Sequence, residues 1–334
     1  MPLKRDTKLF DQFAAAVHAA GWRCFPLTAR RVHPARYRVT HGEVELTVTV
    51  YIWETTLGGN NRPPDEWRIQ PTGVVGSQFQ PEPEPGRTLI LGWWKQGNIF
   101  TGYDYNFHVN PFGGSPSIQV RRRALDAAAA DGMAVYQRGS GELAILFRPE
   151  LIGAYLSEMQ SLHAAGRIPL EVTLIEKIAQ SPELVADGQI AAEAAPPRQH
   201  AMAVVRRAIR DAKFRNLVLE AYGHRCAFCG IQLRLLEAAH ILPVEHPDST
   251  DSVNNGFAAC PLHHRAYDRG LITFGTAYGV QVSDAKILEM QKGGHGGGLT
   301  AFRDGLLPKI HLPVAAGDRP SASLVKTANT FRGW

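Results

Sequence analysis

The spacing of apolar positions changes several times along the chain, and each change marks an element. Residues 11–20 carry helical spacing and stop at Gly21. Over 37–54 the period falls to two: Val44, Leu46, Val48 and Tyr51 stand among β-branched neighbours after a turn at Gly42, which predicts strands. Residues 57–65, rich in Gly, Asn and Pro, read as a loop and 67–69 as a short extended piece. Residues 88–94 read as a strand that turns at 96–98 into another over 99–109. A short helix is expected over 123–131, and a hairpin from 133–136 and 142–147 about the turn at Gly139–Gly141. Pro149 opens a further helix with Leu151, Tyr155, Met159 and Leu162 on one face.

These elements predict an α+β protein whose first half, residues 1–185, is a mixed domain with an antiparallel sheet. The Ala- and Pro-rich stretch 186–199 reads as a linker, and 200–310 as a second domain that opens with a long helix over 200–222 and ends in paired strands over 271–274 and 278–282. The mostly small and polar residues 311–334 read as a loosely held tail. No internal repeat is evident. A chain of 334 residues is long enough for two ordinary cores.

The net charge of +5 gains meaning when it is located. Residues 191–334 hold 17 Lys and Arg against 12 Asp and Glu, while 1–190 hold 19 of each, so the excess lies wholly in the C-terminal part. Arg206, Arg207, Arg210, Lys213 and Arg215 fall within ten residues of the long helix, more than solubility requires, and phosphate contact is expected of them. No segment approaches the roughly 20 apolar residues of a membrane span, and the N-terminus lacks an apolar stretch of signal-peptide length, so a cytoplasmic protein without a membrane partner is expected.

Three of the four cysteines, Cys226, Cys229 and Cys260, lie within 35 residues, whereas Cys24 stands apart and reads as a small buried hydrophobe. A Cys-x-x-Cys pair answered by Cys260-Pro-Leu-His263 supplies four ligands of the types that zinc prefers. Closed Cys3His coordination leaves no position for substrate, so the expected Zn2+ is structural. Between the pairs lies Leu236-Glu-Ala-Ala-His-Ile-Leu-Pro243, followed by Ser252-Val-Asn-Asn-Gly-Phe-Ala-Ala-Cys260, and the second pair runs into His264-Arg-Ala-Tyr-Asp-Arg-Gly270.

This arrangement resembles the HNH endonucleases of the ββα-metal fold over residues 214–283, about a fifth of the chain. The resemblance implies that His240 is the general base and that Asn255 ties the intervening loop together and holds His240. It further implies that His264 binds the catalytic divalent metal, Mg2+ or Mn2+, with Asp268 one turn later on the same helix face. One position departs from the pattern. Many members carry Asp or His before the general base as a further ligand, and this chain has Ala239. Glu237 is near in sequence, but three residues is an odd number of strand alternations, so it is expected to face away from His240 and to serve a structural or supporting role.

The layout further resembles restriction and modification-dependent restriction enzymes, with a target-recognition domain before the nuclease. That implies double-stranded DNA as partner and two chains acting together as a homodimer. Arg265 and Arg269 are expected on phosphates. In the first domain, Arg68, Gln70, Trp93 and Trp94 could stack on and hydrogen-bond a base, including a modified one, although the tryptophans fit a sheet core equally well. Two other readings stay open: a homing or phage-type nicking enzyme, and a non-catalytic zinc-containing DNA-binding protein.

Overall fold

The computed structural model describes residues 7–29, 32–59 and 61–334. They fall into two compact units, Met1–Arg210 and Asp211–Trp334.

The strands of the first unit are β1 (Arg23–Pro26), β2 (Ala35–His41), β3 (Val44–Glu54), β4 (Thr56–Leu57), β5 (Glu66–Ile69), β6 (Arg87–Trp94), β7 (Ile99–Tyr103), β8 (Ile118–Arg121), β9 (Met133–Gln137) and β10 (Leu143–Phe147). Seven of them form one sheet in the order β1-β2-β3-β6-β7-β10-β9, and β4-β5-β8 form a smaller one. Every pair in the large sheet is antiparallel except β3 with β6. The expectation of an antiparallel sheet is corrected at that one place. Between the two strands the chain leaves to build β4 and β5 and returns in the same direction, and such a crossover is what parallel pairing needs.

The central strands are nearly continuous in apolar residues because both faces of the sheet are covered. One face packs Tyr51, Trp53, Ile90, Trp94 and Tyr103 against Ile69, Ile118 and Val120 of the small sheet and against helix α2 (Arg122–Asp131), α1 being Thr7–Ala19. On the other, Phe147 stacks on Tyr155 of α3 (Ile152–Ala164), with ring centroids 4.6 Å apart.

Glu142 lies wholly inside this unit. It is 0% exposed and accepts from the backbone N–H of Asp104 (3.0 Å), from His108 Nε2 (3.1 Å) and from the Arg138 guanidinium. Burial works against its charge, and the His108 and Arg138 contacts outweigh that and hold its pKa below the usual carboxylate value. Glu142→Ala is therefore expected to destabilise the unit by about 3–5 kcal/mol, since it leaves Arg138 and His108 facing an uncompensated space. A urea titration followed by tryptophan fluorescence checks this, and an unchanged midpoint would refute it.

The stretch read as a linker is helical. After α4 (Pro169–Gln180), α5 spans Asp187–Glu193 and α6 begins at Pro196 and runs to Ala221. Proline at the start of a helix costs nothing there, and alanine propagates it, so the composition that suggested a flexible joint suits short helices as well. The division between the units falls within α6.

In the second unit, β11 (Glu237–His240) pairs antiparallel with β12 (Gly256–Ala259), with His240 opposite Gly256 and Glu237 opposite Ala259. Helix α7 (Pro261–Asp268) follows at once, opened by Pro261 in its first turn. A second hairpin joins β13 (Ile272–Phe274) to β14 (Val280–Val282), before α8 (Asp284–Lys292), α9 (Leu299–Asp304) and α10 (Ala322–Phe331). The core joins Phe214 and Val218 of α6, and Tyr222 just after it, to Phe228, Phe257, Tyr267 and Phe274.

That core also contains Val325 and Ala328, with Leu312 and Leu324 packed against it, so the segment read as a loose tail is packed. Arg332 donates to the Ile241 carbonyl (2.6 Å) with its guanidinium over the Tyr267 ring, and Asn329 bonds Thr273 and the Phe274 carbonyl. Among the described residues no helix is long and apolar enough to cross a membrane.

Candidate functional site

The turn at residues 226–231 is built before any ligand is considered. Gly230 takes a left-handed φ of +73° and donates to the Cys226 carbonyl, while the Cys226 N–H reaches the Ile231 carbonyl, so both thiols of the pair turn inward. The N–H of Ala227 bonds the Ala258 carbonyl of β12, which places the turn beside the start of α7. There Cys260 and His263 complete a group of four whose ligand atoms all lie within 4.8 Å of one another, with His263 Nδ1 3.2 Å from Cys260 Sγ and 3.6 Å from Cys226 Sγ. Sulfur and nitrogen ligands of one tetrahedral ion stand roughly 3.5–3.8 Å apart given bonds of about 2.0–2.3 Å, so this donor set can hold a metal ion. Burial pushes the Cys229 thiol up to about 12 and also raises that of Cys260. Burial acts in the same sense on Cys226, yet the His263 imidazole and the backbone N–H groups of Cys260, Cys229 and Phe228 overcome it and bring that thiol down to about 6.

A second cluster is built on the next residue of α7. His264 Nδ1 is 2.6 Å from Glu237 Oε2, and its Nε2 is 3.5 Å from Asp268 Oδ2, one helical turn further on. His264 is about a quarter exposed and both carboxylates are about half exposed, so the group is open to solvent, unlike the Cys3His cluster.

His240 stands at the end of β11. Its imidazole lies flat on the Phe214 ring, with centroids 3.9 Å apart and planes 10° from parallel. The absent side chain at Gly256 makes this approach possible: a Cβ there would come within 3.0 Å of the Phe214 ring and 2.5 Å of Val218. His240 Nε2 meets Asp251 Oδ1 at 3.1 Å.

Asn255 ties the loop between the strands. Fully buried, it accepts from the Leu242 N–H (2.9 Å) and donates to the carbonyls of Thr250 (2.8 Å) and Leu242 (3.3 Å) and to Ser249 Oγ (3.2 Å). Asn255→Ala would strand these partners and is expected to destabilise the second unit by about 2–3 kcal/mol. Equal thermal melts of the variant and the parent chain would contradict that.

Residues 226–275 match the family model described as HNH endonuclease. This segment is an HNH-type endonuclease domain. The HNH domain supplies the Cys3His cluster, His240, Asn255, His264 and Asp268, while Phe214 stacks on its His240 from α6. Upstream, residues 46–156 match the model described as Methylase-associated X1. No curated protein matches the chain. A solved structure described as "Modification dependent TagI restriction endonuclease" aligns with 84% of this chain and 80% of its own, at 10% identity and a TM-score of 0.27, below the level at which a common fold follows.

Ala239 cannot contribute to the open cluster on grounds of geometry as well as chemistry, because it is 2% exposed and faces the core. Other expected site residues divide. Arg207, Arg210, Arg265, Arg269 and Gln70 are exposed, and Arg68 is half-buried. Arg206 instead pairs with Asp187 and donates to the Val185 carbonyl, so its guanidinium is held within the first unit. Trp93 and Trp94 are 6% and 3% exposed, packed on Phe100 and Trp67 respectively. A central strand covered on both faces leaves neither indole free to stack on a base, and their assignment to base contact is withdrawn.

Sequence reasoning passed over Asp251 and Phe214. Asp251 is one acid in a polar loop, and Phe214 occupies an ordinary apolar position four residues before Val218 on a helix; neither carries a local signal.

Proposed function

We propose that the protein is a metal-dependent DNA endonuclease of restriction type, whose second unit hydrolyses a phosphodiester and whose first unit selects the DNA. The observation that carries this reading is the arrangement within the HNH domain: an oriented histidine on β11 and an open His264–Asp268 pair on α7, which packs against β11.

Asp251 accepts a hydrogen bond from the Nε2–H of His240, which leaves the lone pair on Nδ1 to take a proton from attacking water. Phe214 fixes the plane of the ring. His264 and Asp268 would hold a divalent cation, Mg2+ or Mn2+, and the mixture of carboxylate and imidazole suits either. When bound, such an ion supplies positive charge for the scissile phosphate and the departing oxygen. The Cys3His set would hold Zn2+ in a purely structural role, since four protein donors leave no open position. Arg265 on α7 and Arg269 just beyond its end, both exposed, are suited to neighbouring phosphates, as are Arg207 and Arg210 on α6.

The match of residues 46–156 to a methylase-associated family supports a place beside a methylase, as in a restriction system, and target choice by the first unit that depends on base modification is the finer part of the proposal. One active site cuts one strand, so a double-strand break calls for two chains, as in a homodimer, or for two successive events. Supercoiled plasmid, prepared unmodified, adenine-methylated and cytosine-methylated, incubated with the protein and Mg2+ or Mn2+ tests the proposal. Nicking that disappears with EDTA is expected, with a preference among the three substrates. No conversion of any substrate with either metal would overturn the nuclease reading, and equal conversion of all three would overturn the dependence on modification.

A further inference from the structure

We infer that Glu237 is a positioning residue for the cation site: it fixes the tautomer of His264 so that Nε2, beside Asp268, is the nitrogen that binds metal. The inference rests on the nuclease reading above and adds to it the part that Ala239 leaves open.

Strand alternation puts Glu237 on the face opposite His240, whose partners are Asp251 and Phe214. Strand pairing gives Glu237 another neighbour. It lies opposite Ala259, the last residue of β12, and the chain turns into α7 directly after Cys260, so the carboxylate at the start of β11 is beside the first turn of that helix. His264 stands there, and Glu237 Oε2 meets its Nδ1 at 2.6 Å.

The two carboxylates around His264 stand at different distances, and the difference assigns their roles. A separation of 2.6 Å is a charge-assisted hydrogen bond, so Nδ1 carries the proton and donates it to Glu237. Two ligands at right angles on one ion, each bonded at about 2.0–2.2 Å, stand about 3 Å apart, so a gap of 2.6 Å is too narrow to be shared through a cation. Asp268 Oδ2 at 3.5 Å from Nε2 is beyond ordinary hydrogen-bonding distance and leaves the spacing that two ligands of one ion need. With Nδ1 protonated, Nε2 bears the free lone pair. The imidazole thus donates on one side and ligates on the other, and the carboxylate behind it makes it the stronger base. The ligand missing at Ala239 is compensated by a more basic His264, with no third protein ligand from β11.

The test uses the full chain loaded with zinc, as wild type, Glu237→Gln, Glu237→Ala and His264→Ala. Long-range 1H–15N spectra, with the His264 signals assigned by their loss in His264→Ala, are expected to show the Nδ1–H tautomer in wild type and a shift toward Nε2–H in both Glu237 variants. Titration with Mn2+ followed by electron paramagnetic resonance is expected to show binding weakened about 10- to 100-fold in Glu237→Gln, with the ion still bound at saturation. Unchanged zinc content in the variants shows that the fold has survived. An unaltered tautomer with unaltered Mn2+ affinity overturns the inference. Loss of Mn2+ binding to the level of His264→Ala also overturns it, since Glu237 would then be a ligand itself. Failure of the nuclease reading looks different: a wild-type chain that neither takes up Mn2+ nor nicks DNA.

Discussion

Replacing His240 by alanine is expected to slow metal-dependent DNA cleavage by about 100- to 10,000-fold, the range over which a positioned general base contributes. The imidazole makes two directed contacts, the Asp251 carboxylate at Nε2 and the face of Phe214, and both orient the ring. The substitution leaves the Cys3His ligands and the His264–Asp268 pair in place, so zinc content and Mn2+ uptake should match the parent chain while the rate falls. Lost stacking against Phe214 lowers stability by about 0.5–1.5 kcal/mol, too little to unfold the unit. Single-turnover nicking of supercoiled plasmid measures the effect, and a variant within threefold of the parent would exclude His240 as the base.

The second large effect concerns the closed metal cluster. Withdrawal of its ion by a strong chelator, or Cys229→Ser, is expected to unfold residues 211–334, because structural zinc in small modules contributes apparent free energies of about 10–16 kcal/mol. The 226–231 turn does more than offer two thiols. Ala227 bonds Ala258 of β12 and accepts from the His311 N–H, and the Phe228 carbonyl accepts from Leu307. Without metal the half-buried Cys229 and buried Cys260 are held as neutral thiols, since burial raises the pKa of both. Binding must expel their protons, so affinity for the ion should rise with pH. Five of the six tryptophans lie in Met1–Arg210, and their fluorescence should hardly change on chelation while amide-exchange protection collapses across 211–334. Retained protection in the metal-free chain would show that the hydrophobic core suffices.

What could be read from the sequence follows from how local each constraint is. Four metal ligands must be of a few residue types at fixed short spacings, so Cys226, Cys229, Cys260 and His263 were legible, and the structure gathers them. His264 and Asp268 are one turn apart on a single helix, another local rule. Glu237 meets His264 across 27 residues and Asp251 meets His240 across 11, contacts set by strand register and loop path. For Trp93 and Trp94 the sequence leaves base contact and core packing open, because an aromatic-rich strand reads alike whether one face is covered or two. Packing of 311–334 rests on Val325 and Ala328, with Leu312 and Leu324 against the same core, apolar positions too sparse in a mostly small and polar stretch for a period to show. The parallel pairing of β3 with β6 depends on a crossover that no stretch of either strand encodes.

His263 and His264 are consecutive, so the closed cluster and the open pair share one turn of α7. An oxidant that converted the Cys226–Cys229 thiols to a disulfide would expel the structural ion and, through that one peptide bond, dislodge the imidazole meant for the other. A nuclease built in this way would fall silent under oxidative stress through loss of the fold around α7, with no chemical change to His240, His264 or Asp268 themselves.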